Sequence, residues 1–199
     1  MLNLCFKDNF PKWIDFRSKA GCPDVLDDDI LNISSISSVV NYIRYLLRHN
    51  DQEDFKISRL HLYYYLKNNL KNIDLKNTLN FIKENGVCSE KEYPYDMSKI
   101  DITPNIKKLK YFKLDFKPVK NKVKYIKYEL INNRPVLVEL NKNFYNIDCT
   151  VIYGYRSSIN CFICMNSSGK EWGERGFFYL PYNHVKKYSS NLYSITSVS

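Results

Sequence analysis

Apolar residues recur at helical spacing in the first half of the chain. The clearest stripe lies between Ile36 and Leu47 and predicts one amphipathic helix that ends near His49. Ser34 and Ser35 stand where an N-cap residue belongs, because serine hydroxyls accept hydrogen bonds from the free N–H groups of a helix start. The stripe consists of Ile36, Val39, Val40, Ile43, Leu46 and Leu47.

Three further segments favour helices. Residues 57–70 fit either a helix or a strand, and we interpret them as a helix. Asp74 is typical of an N-cap and Gly86 of a helix end, so a helix is predicted between them. A last helix is predicted over 119–132, with Pro135 beyond its end.

The period of the pattern changes after residue 133. Short β-rich runs separated by Asn, Gly and Ser follow, and such runs are typical of strands. Helices followed by strands predict an α+β domain with a helical lobe over about 11–118, a β lobe over about 119–199 and a cleft between them. The runs cover residues 134–140, 149–155, 161–165 and 177–180.

Composition narrows the class of protein. A chain of 199 residues that is 44% hydrophobic can build a single domain with a substantial core. No window reaches the roughly 18 apolar residues of a membrane span, and the N-terminus lacks the pattern of a signal peptide. We therefore expect an intracellular protein without membrane contact, whose six cysteines are reduced thiols.

The chain is basic, with a formal net charge of +9. Between Lys107 and Lys127 lie nine lysines and a single acid, Asp115. A nucleic-acid surface is one interpretation, and a solvated face is the other. No nucleic-acid-binding motif accompanies the lysines, and the richness in Asn, Lys, Ile and Tyr is what an A/T-rich genome produces. We favour the solvated face, so nucleic acid is not an expected partner.

Four separated stretches resemble the papain-like cysteine peptidases. Residues 13–17 with 22–25 are similar to the start of that family's mature domain, and residues 86–95 to its segment ending in Tyr-Pro-Tyr. Residues 150–155 look like the strand after the catalytic histidine, and residues 166–179 like the segment that carries the catalytic asparagine. The resemblance implies a helical N-terminal lobe, an antiparallel β-barrel-like C-terminal lobe and a peptide-binding cleft between them.

The same resemblance assigns the catalytic positions by spacing. The oxyanion-hole glutamine of the family falls on Asp28, and its nucleophilic cysteine falls on Ser34, or on Ser35 if the register slips by one. The general-base histidine falls on Asp148, and the asparagine is retained as Asn166. Three of the four positions are therefore substituted.

These substitutions oppose peptidase chemistry. The family's nucleophile is a thiolate with a pKa below the ~8.5 of a free thiol, whereas a serine hydroxyl needs an adjacent base. An aspartate carboxyl, with an ordinary pKa of ~3.9, is a weak base at neutral pH. A carboxylate at position 28 would repel an anionic intermediate, where losing one hydrogen-bond donor already costs about 10²–10³ in rate. We expect Ser34, Asp148 and Asn166 to form a polar network without catalysis.

Metal and cofactor sites are not expected. The three histidines have no neighbouring ligands at metal spacing, and the two cysteines of the CxxC pattern lie in a predicted strand without a second pair. The acidic residues near position 28 lack the alternating spacing of calcium loops. The rejected candidates are His49, His61, His184, Cys161, Cys164, Asp27, Asp28, Asp29 and Asp148.

Three functions compete. The leading hypothesis is a pseudoenzyme: a catalytically inactive papain-like homologue that acts as a protein-binding or structural protein, with a protein or peptide partner. The alternative is a residual or altered hydrolase that uses Ser34 in the papain-like cleft. The third is a homo-oligomeric assembly protein of a virus or parasite, associated with the virion in the viral case. Active-site labelling distinguishes the second hypothesis from the other two.

Overall fold

A computed structural model describes residues 9–19, 21–28, 31–141 and 147–199. The expectations that fall on the first eight residues and on Asp29 lie outside these ranges. Five helices and seven strands are present in the described part. In chain order they are β1 (Trp13–Asp15), α1 (Ser34–His49), α2 (Arg59–Asn69), α3 (Leu75–Asn85), β2 (Leu114–Pro118), α4 (Val123–Ile131), β3 (Val136–Leu140), β4 (Cys149–Arg156), β5 (Cys161–Met165), β6 (Phe177–Pro181), α5 (Tyr182–Tyr188) and β7 (Ser189–Val198).

Helix α1 confirms the apolar stripe and lies at the centre of the molecule, buried over almost its whole length. The prediction of a serine N-cap was wrong. The N-cap is Ile33, whose side chain makes no capping hydrogen bond, and Ser34 is the first helical residue. Ser35 instead donates its hydroxyl hydrogen bond to the Ile73 carbonyl, at 3.2 Å. A hydrogen bond to the loop between α2 and α3 thus takes the place of a local cap.

The other predicted helices are also present. Asp74 accepts a hydrogen bond from the N–H of Asn77 at the start of α3, and Gly86 ends that helix with a φ of +71°, which favours glycine. Helix α4 begins four residues later than predicted, at Val123. The reason is that Val119 still donates its N–H to the Leu192 carbonyl, which prolongs the strand pairing beyond β2.

The strands form one antiparallel sheet in the order β2-β7-β3-β4-β5-β6, with β1 paired to β4. The four predicted strands correspond to β3, β4, β5 and β6. The sequence pattern did not identify β1, β2 and β7 as strands. At the crossing of β1 and β4, a Cβ on Gly154 would lie 2.2 Å from the Ile14 carbonyl oxygen, so the two backbones approach as closely as glycine allows.

A single large apolar cluster joins the helices to the sheet. Helix α1 contributes side chains such as Ile36 and Ile43, and the sheet contributes Val138, Ile152 and Phe162, all of them fully buried. The architecture is therefore the predicted α+β class, with helices packed on an antiparallel sheet. The division into lobes near residue 118 stays a prediction. None of the described helices combines the length and the apolar character needed to cross a membrane.

Candidate active-site cleft

Ser34 and Asp148 meet at one cavity. Ser34 opens helix α1, and Asp148 immediately precedes β4, so the centre of the sheet brings the two positions together. Both residues line a cavity of about 540 Å³. The structure thus places the predicted nucleophile and base positions on the same surface.

The two side chains do not form the predicted hydrogen bond with each other. Asp148 accepts a hydrogen bond from the Asn32 amide, at 2.9 Å from its Oδ2. Ser34 lies near the buried thiol of Cys149, and its hydroxyl lowers the pKa of that thiol. Burial raises the pKa of that thiol well above its ordinary value, the carboxylates of Glu139 and Asp148 raise it further, and Ser34 opposes the shift. Cys149 is therefore a neutral thiol, and no carboxylate or imidazole of the described residues forms a hydrogen bond with the Ser34 hydroxyl.

More carboxylate side chains line this cavity than the sequence analysis predicted. Besides Asp148 it is lined by Glu139 and Asp74, whereas Lys71 is the single cation among its described lining residues. Glu139 also has a structural role, because it accepts the N–H of Leu75 at 2.9 Å. The sequence did not predict this, since the pairing joins residues 64 positions apart.

Asp28 lies elsewhere. Its side chain is buried and does not line the cavity. The guanidinium of Arg59 pairs with its Oδ1 at 3.1 Å, and the Ser37 hydroxyl donates to the same oxygen. Burial raises the pKa of the Asp28 carboxyl, while hydrogen bonds from Ser167 and Ser37 and the charge of Arg59 oppose that rise. Asp28 therefore does not line the cavity that Ser34 and Asp148 share, and its assignment to an oxyanion hole stays a prediction.

A network of hydrogen bonds and a ring contact holds the backbone around Asp28. Tyr95 donates its hydroxyl to the Asp28 carbonyl at 2.7 Å, and its ring lies 3.9 Å from the guanidinium carbon of Arg59. Glu90 accepts the backbone N–H groups of both Tyr95 and Arg59, at 3.0 and 3.3 Å. The Tyr-Pro-Tyr stretch that carried part of the resemblance therefore has a structural function here. Its second tyrosine ties the loop before α1 to helix α2.

Asn166 is also separate from the cavity. It is buried after β5 and donates its amide to the Ser168 hydroxyl at 2.9 Å. The neighbouring Ser167 carbonyl accepts the N–H of Asp28 at 2.9 Å. Ser34 and Asp148 thus share the cavity, whereas Asp28 is bonded to Ser167, the neighbour of Asn166, and neither Asp28 nor Asn166 lines the cavity.

The cysteines in the described part of the chain are poor nucleophiles. Burial raises the pKa of every one of their thiols, to about 11 for Cys22 and to about 12 for Cys88. A cysteine nucleophile needs the opposite shift, which a cation or an imidazolium provides. No group of three or more His, Cys, Asp or Glu within the described ranges is arranged to hold a metal ion. The thiols concerned are Cys22, Cys88, Cys149, Cys161 and Cys164.

A curated protein is similar to this chain in sequence. An uncharacterized peptidase C1-like protein of Acanthamoeba polyphaga mimivirus is 24% identical over 181 residues, an alignment that covers 70% of this chain. It covers 58% of the relative, so the chain spans little more than half of that protein's length. No family model matches the sequence.

Solved structures give the fold. Xylellain, a cysteine protease from Xylella fastidiosa, superposes with a TM-score of 0.77 at 20% identity, over 96% of this chain and 88% of its own. The structure that compares the mite allergens Blo t 1 and Der p 1 gives 0.80 at 14% identity, over 98% and 74%. Procathepsin L2 from the Tenebrio molitor midgut gives 0.75 at 16%, over 96% and 70%. The chain therefore has the papain-like fold, as its motifs predicted.

Proposed function

We propose that this chain is a catalytically inactive protein of papain-like fold that binds a peptide segment of a protein partner in its cleft. The observation that carries the proposal is the state of Asp148. The family resemblance assigns it to the general-base position, yet its carboxylate accepts a hydrogen bond from the Asn32 amide and forms none with the Ser34 hydroxyl. Neither Ser34 nor any described thiol has the base that nucleophilic catalysis requires.

The positions of the histidines support inactivity. The chain has three, at 49, 61 and 184, and none of them lines the cleft cavity. His49 is at the end of α1 and His184 is on α5, while His61 is buried in α2. An imidazole therefore has no route to Ser34 or to Cys149 without a rearrangement of the fold.

The charge of the cleft supports peptide binding. The chain as a whole is basic, but Asp74, Glu139 and Asp148 face the cavity, and Lys71 is the single cation among the described residues that line it. Complementary charge is what selects a partner and accelerates its encounter. We therefore propose a segment that carries lysine or arginine side chains as the ligand of the cleft.

Active-site labelling tests the inactivity. A serine-directed fluorophosphonate and a thiol-directed epoxide should give no adduct at Ser34 or Cys149, because neither group has a base or a lowered pKa. The readout is intact mass after incubation, with an active papain-like protease as the positive control. Turnover of a fluorogenic peptide by the wild type, abolished in a Ser34→Ala variant, would overturn the proposal and favour the altered hydrolase.

A further inference from the structure

A second cavity lies in the helical part of the molecule, between helices α2 and α3 and the segment 104–109. It measures about 670 Å³, within the ~300–1,000 Å³ usual for small-molecule sites. It shares no lining residue with the cleft that contains Ser34 and Asp148. Whatever occupies it is therefore separate from the proposed function of the cleft.

One wall of this cavity is aromatic. The rings of His61 and Tyr65 have centroids 4.9 Å apart, and Phe81 on the facing helix stacks on Tyr65 with a centroid distance of 6.1 Å. Pro104 and Leu109, which are apolar, come from a different segment and also line the cavity. A flat ring between these walls would meet an aromatic face on one side and aliphatic carbon on the other.

His61 supplies an unused hydrogen-bonding group in that wall. The residue is only 3% exposed, and Nδ1 of its ring is buried without a partner. Burial lowers the pKa of His61 to about 4, against a small opposing effect of Glu92, so the ring is neutral at pH 7. A neutral imidazole has one nitrogen that accepts a hydrogen bond and one that donates. A buried polar atom without a partner costs roughly 1–3 kcal/mol, which a bound donor would recover.

The rim is polar and carries little charge. Among the described lining residues, Glu84 is the single charged side chain. Asn69 and Asn85 donate their amides to carbonyls of their own helices, at 2.7 and 3.3 Å, so these two side chains are already engaged. Without a cation at the rim, a negatively charged ligand has no counter-charge and meets the Glu84 carboxylate.

We propose that this cavity binds a small aromatic molecule that carries an O–H or N–H donor and no negative charge, with His61 as the acceptor of its hydrogen bond. The ring of the ligand packs between Phe81 and Tyr65 on one side and Leu109 on the other. An amine on the ligand is directed to Glu84 at the rim.

Three probes of similar size test each part of this proposal. Tyramine has the phenol donor and a positive charge, phenethylamine lacks the phenol hydroxyl, and para-hydroxyphenylacetate has a carboxylate in place of the aminomethyl group. We expect tyramine to bind, phenethylamine to bind about tenfold more weakly, which equals about 1.4 kcal/mol, and para-hydroxyphenylacetate not to bind at about 1 mM. The readout is the shift of amide NMR signals, which also shows whether Asn80 and Leu109 are affected.

Two variants connect the binding to the cavity. His61→Phe keeps a planar ring and removes both nitrogens, so tyramine and phenethylamine should then bind equally. His49→Phe makes the same change at an exposed histidine outside the cavity and should preserve the preference. Leu109→Trp fills the cavity from the side opposite α2, leaves His61 in place and should abolish binding of all probes, which keeps the test decisive if His61→Phe fails to fold.

Each outcome of these measurements either supports the proposal or overturns it. A tenfold preference for tyramine that disappears in His61→Phe and persists in His49→Phe supports the site. The proposal is overturned if tyramine gives no shifts near Asn80, if Leu109→Trp leaves its binding unchanged, or if the anionic probe binds as well as the cationic one.

Discussion

At the scale of single residues, Asp28 shows that the spacing of motifs does not predict the direction of a side chain. Its position in the chain is the one at which the family holds an oxyanion-hole amide, and this led to the expectation of a negative charge facing the reaction. The structure turns the carboxylate away from the cleft, onto Arg59 and Ser37. Spacing along the chain fixes where a backbone lies, but the direction of a side chain depends on partners far away in sequence. Arg59 is 31 positions from Asp28, and Tyr95 is 67 positions away.

We expect Asp28→Asn to destabilise the fold strongly. The substitution keeps the size of the side chain but leaves the guanidinium of Arg59 buried without its counter-charge, a change that typically costs about 3–5 kcal/mol. Urea unfolding followed by fluorescence measures the difference. The matched control is Asp101→Asn, which breaks the exposed pair with Lys67 and should cost at most about 1 kcal/mol. Equal effects of the two substitutions would contradict the structural role assigned to Asp28.

At the scale of elements, the hydrophobic pattern of the sequence predicted the regular helices and strands. Helices α1 and α3 and strands β3 to β6 follow from a sustained period or a recognisable cap, as with Asp74 and Gly86. The motifs also predicted the papain-like fold. That fold places Ser34 and Asp148 at one cavity. The acidic neighbours of Asp148, by contrast, come from β3 and from the loop between α2 and α3, and no local pattern contains both.

Strand β7 was missed for a physical reason. Its buried apolar residues Leu192, Ile195 and Val198 are three positions apart, a spacing that does not alternate as a strand should. The structure accommodates this spacing with irregular register, because the pairing shifts against β2 between Asp115 and Phe116 and against β3 between Val138 and Leu140. Irregularities that depend on two partner strands cannot be read from one segment.

The contact of β1 with β4 gives a prediction at this scale. In Gly154→Ala the new methyl group would lie 2.2 Å from the Ile14 carbonyl oxygen, so the strands must separate. We expect a loss of about 1–3 kcal/mol in stability and faster hydrogen exchange at the amides of residues 13–16, whose pairing with β4 is disturbed. Ser158→Ala, in the exposed turn after β4, is the control and should change neither quantity. Unchanged exchange in Gly154→Ala would show that β1 adjusts without losing its pairing.

At the scale of the whole molecule, charge is unevenly distributed. Of the nine lysines between 107 and 127, five lie against aromatic rings or pair with a carboxylate, so part of the basic surface is occupied by intramolecular contacts. The cleft has the opposite character, because three carboxylates and one lysine lie among its described lining residues. These lysines are Lys110, Lys117, Lys120, Lys124 and Lys127.

This contrast gives a test, because the charge of the cleft and the net charge of the molecule favour peptides of opposite charge. A net charge of +9 attracts an acidic peptide, whereas the carboxylates of the cleft attract a basic one. We expect fluorescence anisotropy to show tighter binding of a lysine-rich peptide than of a glutamate-rich peptide of equal length, and this binding should weaken as salt rises. Asp148→Asn should lower the affinity for the basic peptide by about two- to fivefold, the effect of one solvent-facing charge pair. Asp115→Asn, an exposed acid on β2 outside the cleft, should leave the affinity unchanged. Tighter binding of the acidic peptide, or equal effects of the two substitutions, would mean that the general surface charge governs binding, and the cleft would then lose its proposed role as the recognition site.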